Sequence, residues 1–322
     1  MIIITGGAGF IGSNLIARLN KENIGEIIVV DNLAKTSKWK NLVGKEFLDF
    51  IHKNQFIDML FQNRIKPIDA IIHLGACSST TEKDADYLLE NNYHYSRRLA
   101  EWTIDNGSTF IYASSAATYG DGSFGYSDND ENTLRLKPLN MYGYSKQLMD
   151  EFVLKNGFQE IVTGLKFFNV YGPNEYHKGD MKSIVCKAYH QIKQTGKVKL
   201  FKSNSKKYSD GEQKRDFIYV KDAVNIILWF LVNNKINGIY NVGSGKAKSW
   251  NELAKAVFKA MDKKPEIEYF DMPASLNEKY QNYTKAVMKK LKDTGYRKEF
   301  YSLEKGIEDY VRNYLMENNK YN

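Results

Sequence analysis

The chain has 322 residues, 43% hydrophobic and 26% charged, an ordinary globular composition with enough length for two lobes of unequal size. No apolar run reaches the roughly 20 residues of a membrane-spanning helix, and MIIITGGAGF lacks the basic n-region of a secretory signal, so a cytoplasmic protein is expected. The formal charge of +8 is concentrated in residues 178–221, where 12 Lys or Arg face 4 acids; this points to a solvated lysine face, or to a lobe handling a polyanionic small molecule, rather than to nucleic acid.

In chain order, IIIT (2–5) predicts a buried strand, TGGAGFIG a glycine-rich turn, and FIGSNLIARLN a helix. EIIVVDN (26–32), KPIDAIIHLGA (66–76) and STFIYASS (108–115) predict three further strands, with helical patterns over 55–64 and 81–107 between them. Strands alternating with helices imply right-handed crossovers and a doubly wound parallel sheet. The polar run 120–133 reads as loop, Tyr142 opens a helix, and EIVTGLKFFNVYG (160–172) reads as one more strand. Beyond it the pattern coarsens to a strand-like 264–270 and helical stretches at 251–261, 284–294 and 302–315. The expected architecture is an α/β Rossmann domain over 1–168 plus 215–241, with a smaller α/β substrate lobe over 169–214 plus 242–322.

The glycine-rich turn follows the first strand and opens the first helix. Gly7, Gly9 and Gly12 satisfy GxGxxG, and Gly6, Gly9 and Gly12 also satisfy GxxGxxG. Such a turn lets backbone approach a pyrophosphate, which the helix N-terminus attracts. Asp31 ends the second strand 19 residues beyond Gly12, where an acid takes ribose hydroxyls and favours NAD. Asn32 follows it, and Lys38 and Lys53 could neutralise a 2′-phosphate; NADP is therefore expected, with NAD as the alternative.

Three positions then carry the chemistry. Ser115 ends the fourth strand 27 residues before Tyr142, and Lys146 lies one helical turn beyond Tyr142. A doubly wound sheet brings such strand ends together beside the nicotinamide. A free phenol titrates near ~10 and must lose about three units, worth ~4 kcal/mol, to act near neutral pH. One cation within ~4–6 Å supplies roughly one to three units, so Lys146 together with the positive ring of the nicotinamide is expected to lower Tyr142. Cys77 and Cys186 are isolated, which excludes a disulfide framework; no metal site is expected.

TGGAGFIG, ASSAATYG, YGYSK, FFNVYGP and RDFIYVKD together resemble the extended short-chain dehydrogenase/reductases acting on nucleotide sugars, over nearly the whole chain. HLGACSSTTE (73–82), NNYHYS (91–96), FFNVYGPNEYHKGDM (167–181) and LNEKYQNYT (276–284) are similar to the branch of that family that epimerises an ADP-heptose, a precursor of the lipopolysaccharide inner core. The resemblance implies NADP contacts from Phe10, Ile11, Asp31, Asn32, Lys38, Lys53, Leu74, Gly75, Ala76, Cys77, Ser78, Asn91, Tyr142, Lys146, Val170 and Lys178. It implies ADP-sugar contacts from Ser115, Asn169, Lys187, Phe201, Lys202, Ser203, Asn204, Arg215 and Tyr280, with Asp180 beside them. Asp180, Lys187 and the segment 204–214 depart from the family pattern, so local substrate contacts there are open. A homo-oligomer, with a pentamer among the options, is also implied.

Dehydratases need an acid–base pair after the catalytic hydroxyl; here Ala116 and Ala117 follow Ser115, which disfavours elimination. In epimerisation a hydride leaves the carbinol and returns to the other face of the ketone. Where the ketone presents its oxygen at two places, a second acid–base group on the far side can serve the second orientation. By resemblance Tyr142 and Lys178 form that pair, the competing reading of Lys178 being a phosphate contact or a surface lysine. Arg215 suits a bidentate pyrophosphate clamp or a structural contact with Asp216. His177 receives no role. The alternatives are another nucleotide-sugar epimerase or reductase, such as a UDP-hexose 4-epimerase, and a noncatalytic dinucleotide sensor.

Overall fold

The protein is described from a computed structural model covering residues 1–273, 280–317 and 320–322. The first four residues of LNEKYQNYT therefore lie outside the described residues. In chain order the strands are β1 (Ile2–Thr5), β2 (Ile27–Asp31), β3 (Asp49–His52), β4 (Ala70–His73), β5 (Thr109–Ser115) and β6 (Val162–Phe167). They continue with β7 (Asn169–Tyr171), β8 (Val198–Phe201), β9 (Lys214–Tyr219), β10 (Gly238–Val242), β11 (Ala247–Ser249) and β12 (Ile267–Phe270).

Seven of them form one parallel sheet in the order β10-β6-β5-β4-β1-β2-β3. Its inner strands are apolar because both faces are covered by helices, as in parallel sheets generally. One core layer gathers Ile4, Leu15, Ile16, Val29, Ile72 and Leu165, and the other Ile3, Val30, Phe56, Ile71, Leu99 and Phe110. Strand order reverses between β1 and β4, the place where doubly wound sheets open a ligand crevice. The doubly wound expectation is met.

Three departures from the predicted elements matter. β3 is an additional edge strand, DFIH, of which only Ile51 is buried, so it lacks the apolar signal of its neighbours. The single helix expected over 81–107 is interrupted: a π-helical turn, Leu89–His94, separates Ala85–Leu88 from Tyr95–Asp105. The single strand expected over 160–172 breaks at Phe168. β6 stays in the main sheet, whereas β7 joins β9 and β11 in a second, three-stranded sheet. That break places Asn169 and Val170 at the seam between the lobes. β8 pairs with β12 in a separate ribbon of the second lobe.

Met141–Lys155, the helix carrying Tyr142, starts at Asn140, whose side chain accepts a hydrogen bond from the Gly143 amide at 2.8 Å. Farther along, the fully buried Asp150 carboxylate accepts from Tyr112 Oη (2.9 Å), Ser114 Oγ (2.7 Å) and Lys166 Nζ (2.5 Å). One helix is thereby tied to β5 and β6 through charges held out of water. Breaking such a pair from one side strands the other charge. Lys166→Met is expected to destabilise the fold by about 3–5 kcal/mol. The double variant with Asp150→Leu should lose less than that single change, as read by urea denaturation.

Candidate active site

The cleft begins at the phosphate turn. Gly6 has φ +68°, and a Cβ there would meet the Gly75 amide nitrogen at 2.6 Å; one on Gly12 would meet the Gly6 carbonyl oxygen at 2.3 Å. Glycine is therefore required for the loop to fold against β4 and its own helix. The helix Phe10–Lys21 has no side-chain cap and no acid in its first turn. Its first amides thus face the cleft as anion donors. This bare-backbone bowl suits a dinucleotide pyrophosphate, and it opens into a cavity of about 510 Å³. Phe10, Ile11, Gly6, Gly9, Gly12 and Leu74 through Ser78 line that cavity together with Val170.

At the ribose end, Asp31 is buried and fully engaged. One carboxylate oxygen accepts from the Ala8 amide at 3.0 Å; the other accepts from the Asn32 amide at 2.7 Å and from Lys38 Nζ at 2.6 Å. Lys53 hydrogen-bonds Asn91, and both line a neighbouring hollow with Asp31, Asn32 and Lys38. Burial pushes the Lys53 ammonium down, against the opposing pull of Glu90 and Asp31. Two ammonium groups therefore accompany one carboxylate where the adenosine ribose is expected.

Ser115, Tyr142, Lys146 and Lys178 line the same main cavity. Ser115 ends β5; its oxygen accepts from the Ala117 amide at 3.1 Å, and its side chain lies close enough to the Tyr142 phenol to act on it. Lys146 is 4% exposed and donates to the Ala113 carbonyl at 2.8 Å. Burial drives its ammonium down to about 8, with Asp150 opposing. Burial pushes the Tyr142 phenol up, and Ser115 pulls it down. Lys178 sits on the opposite lobe, in a 3-10 segment after β7, with Nζ 5.5 Å from the Phe10 ring centre. Burial lowers its affinity for a proton and Glu175 raises it.

A second hollow of about 290 Å³ shares Ser115 and Tyr142 and extends to Ala116, Ala117, Asn169, Arg215 and Tyr280. Arg215 is buried between Tyr280 (4.9 Å) and Trp250 (5.7 Å), and among the described residues it enters no ion pair. Asp216 is occupied elsewhere, accepting from Ser244, Gly245 and Ala286, so it does not neutralise its neighbour. Phe201 packs edge-on against Tyr280 at 6.4 Å but lines neither hollow. Lys202 pairs with Asp271, and the Ser203 amide bonds Asp210; with Asn204 they stand outside both hollows. Asp180 is exposed and accepts, through its carbonyl, from Lys187 at 2.6 Å; neither residue reaches the cleft.

Sequence reasoning missed Asn92. It is fully buried, accepts from the Cys77 amide (2.8 Å), and donates to the Cys77 carbonyl (3.0 Å) and to Ser145 Oγ (3.1 Å). The π-helical turn that carries it thus grips the cleft wall, a common location for such turns. Its only sequence signal is the Asn pair in NNYHYS. His177 lines the cleft and meets Asn41 at 3.3 Å, and burial drives it down to about 4, so it is neutral at physiological pH.

Residues 2–243 match the NAD dependent epimerase/dehydratase family. The chain belongs to that family. A relative from Nitratidesulfovibrio vulgaris (strain DP4), named ADP-L-glycero-D-manno-heptose-6-epimerase, is 56% identical over 98% of both chains. One of the same name from Fusobacterium nucleatum is 47% identical over the full length of both. The crystal structure of the Helicobacter pylori enzyme of that name superposes with a TM-score of 0.83 at 31% identity, covering 97% of this chain and 95% of the other. The sequence expectation of an epimerase, an isomerase-class enzyme with a nicotinamide dinucleotide cofactor, is met. Among the described residues no helix is long and apolar enough to cross a membrane, and no cluster of His, Cys, Asp or Glu suits a metal ion.

The buried ammonium of Lys146 makes a pH prediction. Its folded value, about 8, lies below its ordinary 10.5, so between these limits the unfolded chain binds more protons and stability rises with pH. Lys146→Met should remove on the order of 3 kcal/mol of that rise, measured as the change in denaturation midpoint between neutral and alkaline buffer. An unaltered pH dependence would contradict a buried, charged Lys146.

Proposed function

We propose that this protein inverts C6″ of ADP-D-glycero-D-manno-heptose to give ADP-L-glycero-D-manno-heptose, through oxidation to the 6″-ketone and reduction on its other face, with NADP as the cofactor. The observation that carries the reading is the pairing of proton-handling groups across one cavity. Ser115, Tyr142 and Lys146 line it from the Rossmann lobe, and Lys178 from the second lobe. The close relatives carry the name of that heptose epimerase.

The cofactor would rest on the backbone of Gly6 to Gly12, with Lys146 and Val170 toward its nicotinamide end. Bound there, the cofactor would supply reversible hydride acceptance and, when oxidised, a positive charge. The chain's own residues do the rest. Tyr142, with Ser115 beside it in the same cavity, takes the hydroxyl proton of one stereoisomer and returns it on the way back. The Lys146 ammonium stays on the Ala113 carbonyl, adding positive charge to that wall of the cleft. Lys178, its proton affinity lowered by burial, serves the stereoisomer whose hydroxyl faces the second lobe. Ala116 and Ala117 border the second hollow and offer no group that could remove a proton for elimination.

Substrate and cofactor choice rest on charge. The Arg215 guanidinium, stacked, buried and without a carboxylate partner among the described residues, suits the ADP pyrophosphate. Lys38 and Lys53 favour NADP, because Lys38 already balances Asp31 and Lys53 is then available to a 2′-phosphate.

The deciding assay is incubation of the protein with ADP-D-glycero-D-manno-heptose and no added coenzyme, followed by NMR of C6″. Inverted product is expected, and unchanged substrate would refute the assignment. Tyr142→Phe and Lys178→Met should each lower turnover by about 100-fold or more while retaining bound cofactor. Full turnover by Lys178→Met would leave a single-group mechanism. Lys53→Ala should weaken NADP more than NAD in a titration, and equal weakening would favour NAD as the natural cofactor.

A further inference from the structure

The segment that carries Lys178 is held at its base by a residue to which the reaction assigns no role. Glu175 is 1% exposed. Its carboxylate accepts from both the amide (2.5 Å) and the hydroxyl (2.6 Å) of Ser183, eight residues later, while its own carbonyl accepts from the Lys178 amide at 3.1 Å. Ser183 in turn caps the helix Ile184–Thr195, accepting from the Cys186 amide at 3.2 Å. The loop 175–183 is therefore a closed ring with Lys178 inside it and a helix N-terminus at its seam. Gly179, next to Lys178, has φ +52°, a backbone shape that glycine adopts readily. The residue before the ring is anchored too: Asn174 is fully buried, donates to Ser13 Oγ at 2.9 Å, and its carbonyl accepts from Asn41 at 3.1 Å.

We propose that Glu175 is a positioning residue for Lys178: clipped to Ser183, its carboxylate fixes the lysine's segment over the cleft and supplies the buried negative charge that sets the lysine's electrostatic surroundings. The inference rests on the reading of Lys178 as an acid–base group. Lys178 enters no ion pair within 4.0 Å among the described residues, so the carboxylate acts at a distance rather than by quenching the amine. The other groups facing this pair are few. His177 adjoins Lys178 and is neutral at physiological pH, with Lys38 beyond it; Tyr176, Cys186 and Tyr310 pack on the Glu175 side, all with protons held firmly by burial. Burial pushes the Glu175 carboxyl up, while its bonds from Ser183 and the charge of Lys178 pull it down; ionised, it is the carboxylate that acts on Lys178. Without it, a half-buried lysine on a glycine-hinged loop would lose both its fixed direction and its counter-charge.

Two variants separate the clip from the charge. Glu175→Gln keeps an oxygen that can accept from Ser183 but removes the charge. Ser183→Ala keeps the charge but removes the hydroxyl half of the clip. For E175Q, kcat should fall about tenfold with KM little changed, and the limb of the pH–kcat profile belonging to Lys178 should move to lower pH by about one unit. S183A should lower kcat without moving that limb. An E175Q enzyme with the wild-type kcat and limb overturns the proposal, as does an S183A enzyme whose limb moves as far as that of E175Q. Retained cofactor and a single cooperative unfolding transition certify the fold of each variant, S183A with the somewhat lower midpoint that loss of a helix cap brings. If E175Q fails that check, S183A decides: reduced kcat at unchanged KM supports the clip, and wild-type kcat rejects it. Full turnover by Lys178→Met would remove the catalytic reading itself, whereas an inactive Lys178→Met beside an unmoved E175Q profile would remove only the role of Glu175.

Discussion

The site depends on a lysine buried against a strand. Lys146 places an ammonium on the Ala113 carbonyl, and in doing so fixes the rotation of its helix so that Tyr142, one turn earlier, meets Ser115 two residues farther along β5. The same helix is held one turn later by Asp150, through Tyr112, Ser114 and Lys166. Positions 142, 146 and 150 thus form a stripe in which the Tyr142 hydroxyl at the cleft is backed by two buried side chains of opposite charge. Desolvation makes each charge costly alone, and the hydrogen bonds each receives offset that cost. A phenol set on such a base has little freedom to turn away from the cleft.

The second constraint is the break at Phe168. A strand continuing through 160–172 would keep Asn169 and Val170 inside the main sheet. Because the chain leaves that sheet after Phe167 and pairs with β9, it delivers the Lys178 loop to the wall opposite Tyr142. Asn14 ties the phosphate-turn helix to Pro173, and Asn41 links the phosphate turn to Asn174, so the lobes are joined by amide side chains at the rim of the dinucleotide cleft. The phosphate turn and the segment that carries Lys178 are consequently one mechanical unit.

Much of this was legible in the sequence because it sits where local rules are strong. IIIT–TGGAGFIG announces strand, turn and helix together, and the spacing of Tyr142 and Lys146 follows from helical geometry alone. Lys187, Phe201 and Lys202 were expected at the substrate on family resemblance, yet they stand outside the hollows beside Tyr142. β3 escaped notice because an edge strand needs no alternating apolar face. Asn92 and Glu175 escaped because a buried polar residue carries no periodic signal; its meaning lies in partners such as Cys77 and Ser183, which only folding brings near.

The central claim is that one carbon is oxidised and reduced inside a closed cleft, with protons handled from both walls. The most direct measurement follows the hydrogen on that carbon. With ADP-heptose bearing deuterium at C6″, turnover in ordinary water should give inverted product that keeps its deuterium, because the hydrogen leaves and returns without meeting solvent. Inverted product in which the deuterium has been replaced by solvent hydrogen would mean that the carbon is deprotonated instead, and would contradict the account.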